Sequence, residues 1–156
     1  MAILKIMHAG NPVLRKVAEP VKKIDKRITR LLTNMAETMY AADGVGLAAP
    51  QIGESKRMVV IDVGDGVLLE MINPVITKRE GSVVDMEGCL SVPDYNGTVE
   101  RSATVECEFT NRQGELVKLT ATELLARAIQ HEIDHLDGIL FIDKAQTIEP
   151  REMKDE

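Results

Sequence analysis

The stretch that decides the fold is Thr120-Ala121-Thr122-Glu123-Leu124-Leu125-Ala126-Arg127-Ala128-Ile129-Gln130-His131-Glu132-Ile133-Asp134-His135-Leu136-Asp137-Gly138. Thr120 to Glu123 has the form of a capping box, and Gly138 suits a helix C-cap, so one helix is predicted between them. Leu124, Leu125, Ala128, Ile129, Ile133 and Leu136 spread around most of its circumference, which places the helix in the interior. A buried helix needs other elements to cover it, and the rest of the chain offers strands.

Arg57–Val63 and Val67–Ile72 are β-rich runs joined by Gly64-Asp65-Gly66, which reads as a hairpin. Two more strands are expected around Ala103–Phe109 and Leu116–Leu119, with Asn111-Arg112-Gln113-Gly114 as their turn. Val105, Cys107 and Phe109 alternate onto one face, so Cys107 reads as core packing. A first helix is expected over 26–42, where Asp25 is the N-cap and Ile28, Leu31, Leu32, Met35 and Met39 recur at helical spacing. The expected fold class is α+β, with antiparallel β-sheets packed around the central buried helix. It forms one compact domain over 1–148, followed by a short polar tail over 149–156.

The chain has 156 residues, of which 44% are hydrophobic and 28% charged, as in an ordinary globular domain. A domain of this length buries roughly 68–70% of its unfolded surface and needs no disulfide. With two Phe, two Tyr, no Trp and eight Met, the core must be mainly aliphatic. The net charge of -6 argues against direct nucleic-acid binding, and the basic cluster from Arg15 to Arg30 reads as a solvated face. No apolar run is long enough for a membrane span, and no targeting segment is evident. Two cysteines without a signal peptide fit a reducing compartment, by default the cytoplasm.

Two of the three histidines lie in His131-Glu132-Ile133-Asp134-His135. On a helix, residues i and i+4 share a side, so His131 and His135 can present two nitrogens to one metal ion, with Glu132 beside it to move protons. A hydrolytic centre takes three protein ligands and keeps a fourth position for water. Asp137, Asp143, Glu149 and Glu152 are acidic candidates for the third ligand, but they lie at or soon after the helix end. Cys89, within Glu87-Gly88-Cys89-Leu90-Ser91, is the better candidate, because a thiolate binds zinc and ferrous iron strongly. His8 precedes a Gly-Asn-Pro turn and reads as an ordinary surface residue.

Three blocks together resemble the peptide deformylase family: Gly44-Val45-Gly46-Leu47-Ala48-Ala49-Pro50-Gln51, Glu87-Gly88-Cys89-Leu90-Ser91, and His131-Glu132-Ile133-Asp134-His135. Asn11-Pro12-Val13-Leu14-Arg15 and Leu136-Asp137-Gly138-Ile139-Leu140-Phe141 agree as well, so the resemblance spans nearly the whole chain. It implies removal of the N-formyl group from the N-terminal formyl-methionine of new polypeptides in a bacterial cytoplasm, with release of formate. It further implies one divalent metal ion per chain on Cys89, His131 and His135. Fe2+ is the first expectation, and Zn2+, Ni2+ and Co2+ suit the same donors.

By the same resemblance, Glu132 takes the proton of the attacking water and passes it to the leaving amine. The Gln51 side chain and the Leu90 backbone N–H stabilise the oxyanion. Substrate-binding positions are Gly44, Val45, Gly46, Glu87, Gly88, Leu124 and Ala128. The backbone of 44–47 would pair with an extended peptide, and an apolar pocket would take the methionine. Arg127 falls at a pocket-lining position, where only its aliphatic stem is expected to contribute.

N-formyl-methionyl nascent peptides are the expected partners. Transient ribosome association is compatible with that substrate, but the tail carries Glu149, Glu152, Asp155 and Glu156 where some relatives continue into a basic docking helix. A zinc endopeptidase with an acidic third ligand, or a metal-stabilised homologue that binds formylated peptides without cleaving them, would be the rival readings.

Overall fold

The computed structural model describes residues 2–151. The first helix, α1 (Lys26–Ala41), starts where the sequence predicts: the Asp25 carboxylate accepts the Ile28 N–H at 3.1 Å, satisfying one of the free donors of the first turn. Its inner face is Ile28, Leu32, Met35, Ala36 and Met39. Arg15, Lys16, Lys22, Lys23, Lys26, Arg27 and Arg30 are exposed, as a solvated face requires.

Five antiparallel strands form the larger sheet: β1 (Gly46–Ala48), β2 (Met58–Ile61), β3 (Leu69–Glu80), and, further along the chain, β6 (Thr104–Thr110) and β7 (Leu116–Thr122), in the order β1-β2-β3-β6-β7. The hairpin around Gly64-Asp65-Gly66 pairs Ile61 with Leu69 and Met58 with Ile72. β3 runs eight residues beyond the expected end at Ile72. Pro74 does not stop it, because the β3–β6 register shifts between Ile72 and Val75 and Asn73 adopts φ 53°. The proline therefore sits at an irregularity, where no ladder N–H is needed.

The second sheet contains β4 (Val83–Cys89), β5 (Val92–Arg101) and β8 (Thr147–Pro150), in the order β4-β5-β8. None of these three strands is read from the sequence. In β4, Val83, Val84, Asp85 and Met86 are all exposed, so the strand has no apolar alternation to betray it. β8 crosses position 149, where the tail was expected to begin: Ile148 pairs with Gly97 and Glu149 with Asn96. Residues 152–156 of that tail lie outside the described residues.

The second helix, α2 (Glu123–Leu136), begins later than the capping box implies. Thr120 pairs with Glu106 in β7, and Thr122 is the N-cap without a side-chain hydrogen bond. Pairing with β6 along Thr104–Thr110 satisfies the backbone of 116–122, and this ladder outcompetes the local cap. The C-terminal expectation holds, with Gly138 at φ +76° after the Asp137 C-cap.

β2 is buried on both faces and divides the core. Met58 and Val60 join Leu32, Met35, Met39, Leu47 and Ile72 beneath α1. Val59 and Ile61 join Ile129, Ile133, Leu136, Met71, Val105, Cys107 and Phe109 beneath α2. Cys107 is thus core packing, and the interior is aliphatic and methionine-rich. The other side of α2 faces the second sheet, where Leu14, Cys89, Val92, Val99, Leu140 and Phe141 form a third cluster.

Candidate metal centre

Every residue from Ala126 to Leu136 of α2 is buried, so its polar side chains need partners from the surrounding elements. Cys89 is the last residue of β4, immediately before the two-residue turn Leu90-Ser91 that leads into β5. That turn sets the thiol against the helix: Cys89 Sγ lies 3.3 Å from His135 Nε2. Cys89, His131 and His135 each offer one ligand atom, all within 4.8 Å of one another, and all three residues are buried.

This donor set fits a divalent ion, with one soft sulfur and two imidazole nitrogens converging and a fourth position left to the cleft. Glu132 adds a second sign of fit, since its buried Oε1 has no hydrogen-bond partner among the described residues. Burial pushes the Glu132 carboxyl up to about 7. The acidic alternatives do not reach the cluster. Asp137 pairs with Arg57 at 3.0 Å and Asp143 with Arg15 at 2.5 Å, Glu149 is exposed in β8, and Glu152 lies outside the described residues. His8 is exposed.

Glu87 does more than line a pocket. It lies two residues before Cys89 on β4, so both side chains point to the same buried face. Glu87 Oε1 lies 2.9 Å from His131 Nδ1, and the same carboxylate accepts from Arg101 Nε at 2.8 Å, Arg101 Nη2 at 2.9 Å and Arg127 Nη1 at 2.5 Å. Arg101 Nη1 also reaches Asp134 Oδ2 at 2.6 Å. Burial alone would raise the Glu87 pKa, but the hydrogen bonds from Arg101 and His131 hold it far below the carboxylate range.

Burial likewise opposes charge on His131, yet its hydrogen bonds to Cys89 and Glu87 raise its pKa well above the ordinary value. For His135, burial and the neighbouring His131 and Arg101 lower it. A cation bound by the cluster replaces protons, since these ligands bind in their deprotonated forms.

The expectation for Arg127 is corrected here: its guanidinium is buried, donating to Glu87, to Val99 O at 3.0 Å and to Val83 O at 2.8 Å. Arg101 and Asp134 were not foreseen as parts of the site. The available signal was Glu87 sharing a strand face with Cys89, since a carboxylate there requires buried cations.

Gln51 is 1% exposed. Its Oε1 accepts the Ala48 N–H at 2.9 Å, which turns Nε2 toward Ser91 Oγ at 3.1 Å and Cys89 Sγ at 3.6 Å. Ser91, given no role from the sequence, also donates its backbone N–H to Cys89 Sγ at 3.4 Å. Gly46 is required by close approach: a Cβ there would stand 2.6 Å from Glu132 Oε2, so this glycine lets β1 run directly over the carboxylate.

These groups open into a cleft of about 470 Å³, lined by Gly44, Val45, Gly46, Gln51, Glu87, Gly88, Cys89, Leu90, Leu124, Ala128, His131 and Glu132. Every expected site residue except His135 lines it, and His135 is fully buried with Nε2 3.3 Å from Cys89 Sγ. Met86, Arg127 and Arg151 complete much of the remaining wall.

Comparison with known proteins agrees with this geometry. Residues 3–151 match the family model described as polypeptide deformylase. The chain is 58% identical to the peptide deformylase of Desulfitobacterium hafniense, across 94% of this chain and 97% of that protein. It is 60% identical to that of Alkaliphilus metalliredigens, across 92% and 97%. The crystal structure of peptide deformylase from Thermotoga maritima superposes with a TM-score of 0.90 at 44% identity, across 93% of this chain and 99% of that one. The peptide deformylase of Synechococcus elongatus in complex with actinonin gives 0.89 at 43% identity, across 92% and 79%.

Proposed function

The chain belongs to the polypeptide deformylase family, whose members remove the N-formyl group from nascent peptides, and we propose from that premise which of its residues perform the hydrolysis. The carrying observation is the buried convergence of Cys89, His131 and His135 beside the Glu132 carboxyl, whose Oε1 has no hydrogen-bond partner among the described residues. We assign Cys89, His131 and His135 as ligands of one divalent ion, with Fe2+ the first choice. When bound, such an ion lowers the pKa of water from about 15.7 toward roughly 7 and so supplies a nucleophile at neutral pH.

Glu132 is the proton carrier. Its free Oε1 accepts a proton from the attacking water, and the carboxyl then hands that proton to the departing amine, leaving formate and a free N-terminus. Gln51 and Leu90 face the formyl oxygen. Of the two Nε2 hydrogens of Gln51, the one at Ser91 is firmly held, and the one aimed at Cys89 sulfur across 3.6 Å is the one free to turn to an oxyanion. The Leu90 N–H, in the turn after Cys89, is the second donor.

Val45, Leu124 and Ala128 give the methionine side chain an apolar wall, while the Gly44–Gly46 and Glu87–Gly88 backbones flank the extended peptide. One catalytic domain carries these parts, and β8 extends it through Pro150. No helix among the described residues is long and apolar enough to cross a membrane. The relatives named above are bacterial, which supports a cytoplasmic setting where nascent peptides emerge, with at most transient contact to the ribosome.

The test is formate release from formyl-Met-Ala-Ser by protein purified without oxygen, alongside a metal-loaded Glu132→Ala variant. Formate from the wild type alone supports both the activity and the role of Glu132. Metal-loaded wild type that yields none overturns them.

A further inference from the structure

One side chain of the cleft has no part in this hydrolysis. Arg151 follows β8 directly and lines the cleft beside Met86, Gly88 and Leu90. Its position is built: the backbone N–H donates to Asp94 O at 2.7 Å, and Nε donates to Asn96 Oδ1 at 3.2 Å. Nη2 lies 2.5 Å from the point that a Cβ on Gly88 would occupy, so the missing side chain at 88 makes room for the head group.

Among the described residues, no carboxylate pairs with Arg151, and its Nη atoms have no hydrogen-bond acceptor. Arg127, the other guanidinium of the lining, is paired with Glu87 and has both of its Nη groups engaged, on that carboxylate and on two carbonyls. Apart from Glu132, Asp43 is the remaining carboxyl group of the lining without an ion pair among the described residues. It is an acceptor and offers nothing to an anion.

We propose that Arg151 is a specificity-determining residue, whose Nη groups bind a carboxylate of the substrate peptide downstream of formyl-methionine. The inference rests on the deformylase reading. With the formyl group against Glu132 and the methionine side chain toward Leu124 and Ala128, the rest of the peptide leaves past Gly88, where Arg151 lies. A planar guanidinium fixed through Nε presents its two Nη donors as a fork that matches the two oxygens of a carboxylate. That carboxylate is an acidic side chain or the C-terminus of a short peptide.

The experiment is steady-state deformylation of formyl-Met-Ala-Ser, formyl-Met-Ala-Glu and formyl-Met-Ala-Lys, each with a free and an amidated C-terminus, by wild type, Arg151→Met and Arg151→Lys. Wild type should show a KM about three- to fivefold lower where a carboxylate is present, the range of a solvated ion pair. Arg151→Met should abolish this preference through KM rather than kcat, and Arg151→Lys should keep part of it. A preference that survives amidation identifies the side chain, and one confined to free C-termini identifies the terminal carboxylate. An unchanged preference in Arg151→Met overturns the proposal, as does its loss through kcat with a lowered melting temperature. Absence of formate from wild type with every peptide would overturn the deformylase reading itself, and this inference with it.

Discussion

The Glu87 carboxylate lies 2.9 Å from His131 Nδ1 and accepts from Arg101 and Arg127, so one buried acid orients the imidazole that we assign as a metal ligand and balances two guanidinium groups. An acceptor at Nδ1 fixes the ring tautomer and leaves Nε2 for the metal. Glu87→Gln keeps the shape but uncovers buried positive charge. Its metal retention and kcat/KM should fall about 10- to 100-fold, with a stability loss of roughly 3–5 kcal/mol. Metal analysis after dialysis and denaturant unfolding check both.

Glu132 behaves oppositely. Its carboxylate is buried without a partner at Oε1 among the described residues, so Glu132→Gln removes a group that is costly to charge. The variant should unfold no more easily than wild type and keep its metal, while formate release drops by about 10²–10⁴. A fall in metal content equal to the fall in rate would contradict the assignment.

Cys89 and Cys107 should separate cleanly. Cys89→Ala removes a cluster donor, so added Zn2+ or Fe2+ should no longer raise the melting temperature and activity should be lost. An endopeptidase with an acidic third ligand would keep both. Cys107 packs beneath α2, and burial pushes its thiol up to about 11. Folded protein should therefore resist iodoacetamide at this position at pH 8, and Cys107→Ala should retain metal and activity at a cost of about 1 kcal/mol. Peptide mapping after alkylation distinguishes the two thiols.

Acid stability carries a contribution from Arg15 and Asp143, which pair at 2.5 Å and join the segment before α1 to the one after α2. The hydrogen bond from Arg15 lowers the Asp143 pKa below its usual 3.8. An acid whose pKa is depressed by folding stabilises the fold above its unfolded pKa and loses that effect as pH falls through the folded value. The stability difference between wild type and Asp143→Asn should thus be constant near neutrality and shrink below about pH 4. Both side chains are substantially exposed, so the difference should be under about 1 kcal/mol, read from urea midpoints across pH.

The sequence by itself determined the parts governed by short-range physics. Asp25 capping α1, the 3.6-residue spacing of the apolar side chains of α2, the Gly64-Asp65-Gly66 hairpin and the i,i+4 histidines all depend on neighbours within a few residues. Thiolate chemistry singled out Cys89, and the three motifs in order brought Gln51 and Leu90 into view through family resemblance. Only the tertiary structure decided the charge network of Glu87, Arg101, Arg127 and Asp134, the start of α2 after Thr122, the course of β3 through Pro74, and the docking of β8 that carries Arg151 to the cleft. Each depends on a partner far along the chain: Arg101 meets Glu87 across 14 residues, Asp134 across 33, and Arg151 meets Asn96 across 55. Strand pairing and buried ion pairs draw their energy from such distant partners. Local pattern therefore does not encode them, and at Thr120, where the two conflicted, the β6–β7 ladder prevailed over the cap.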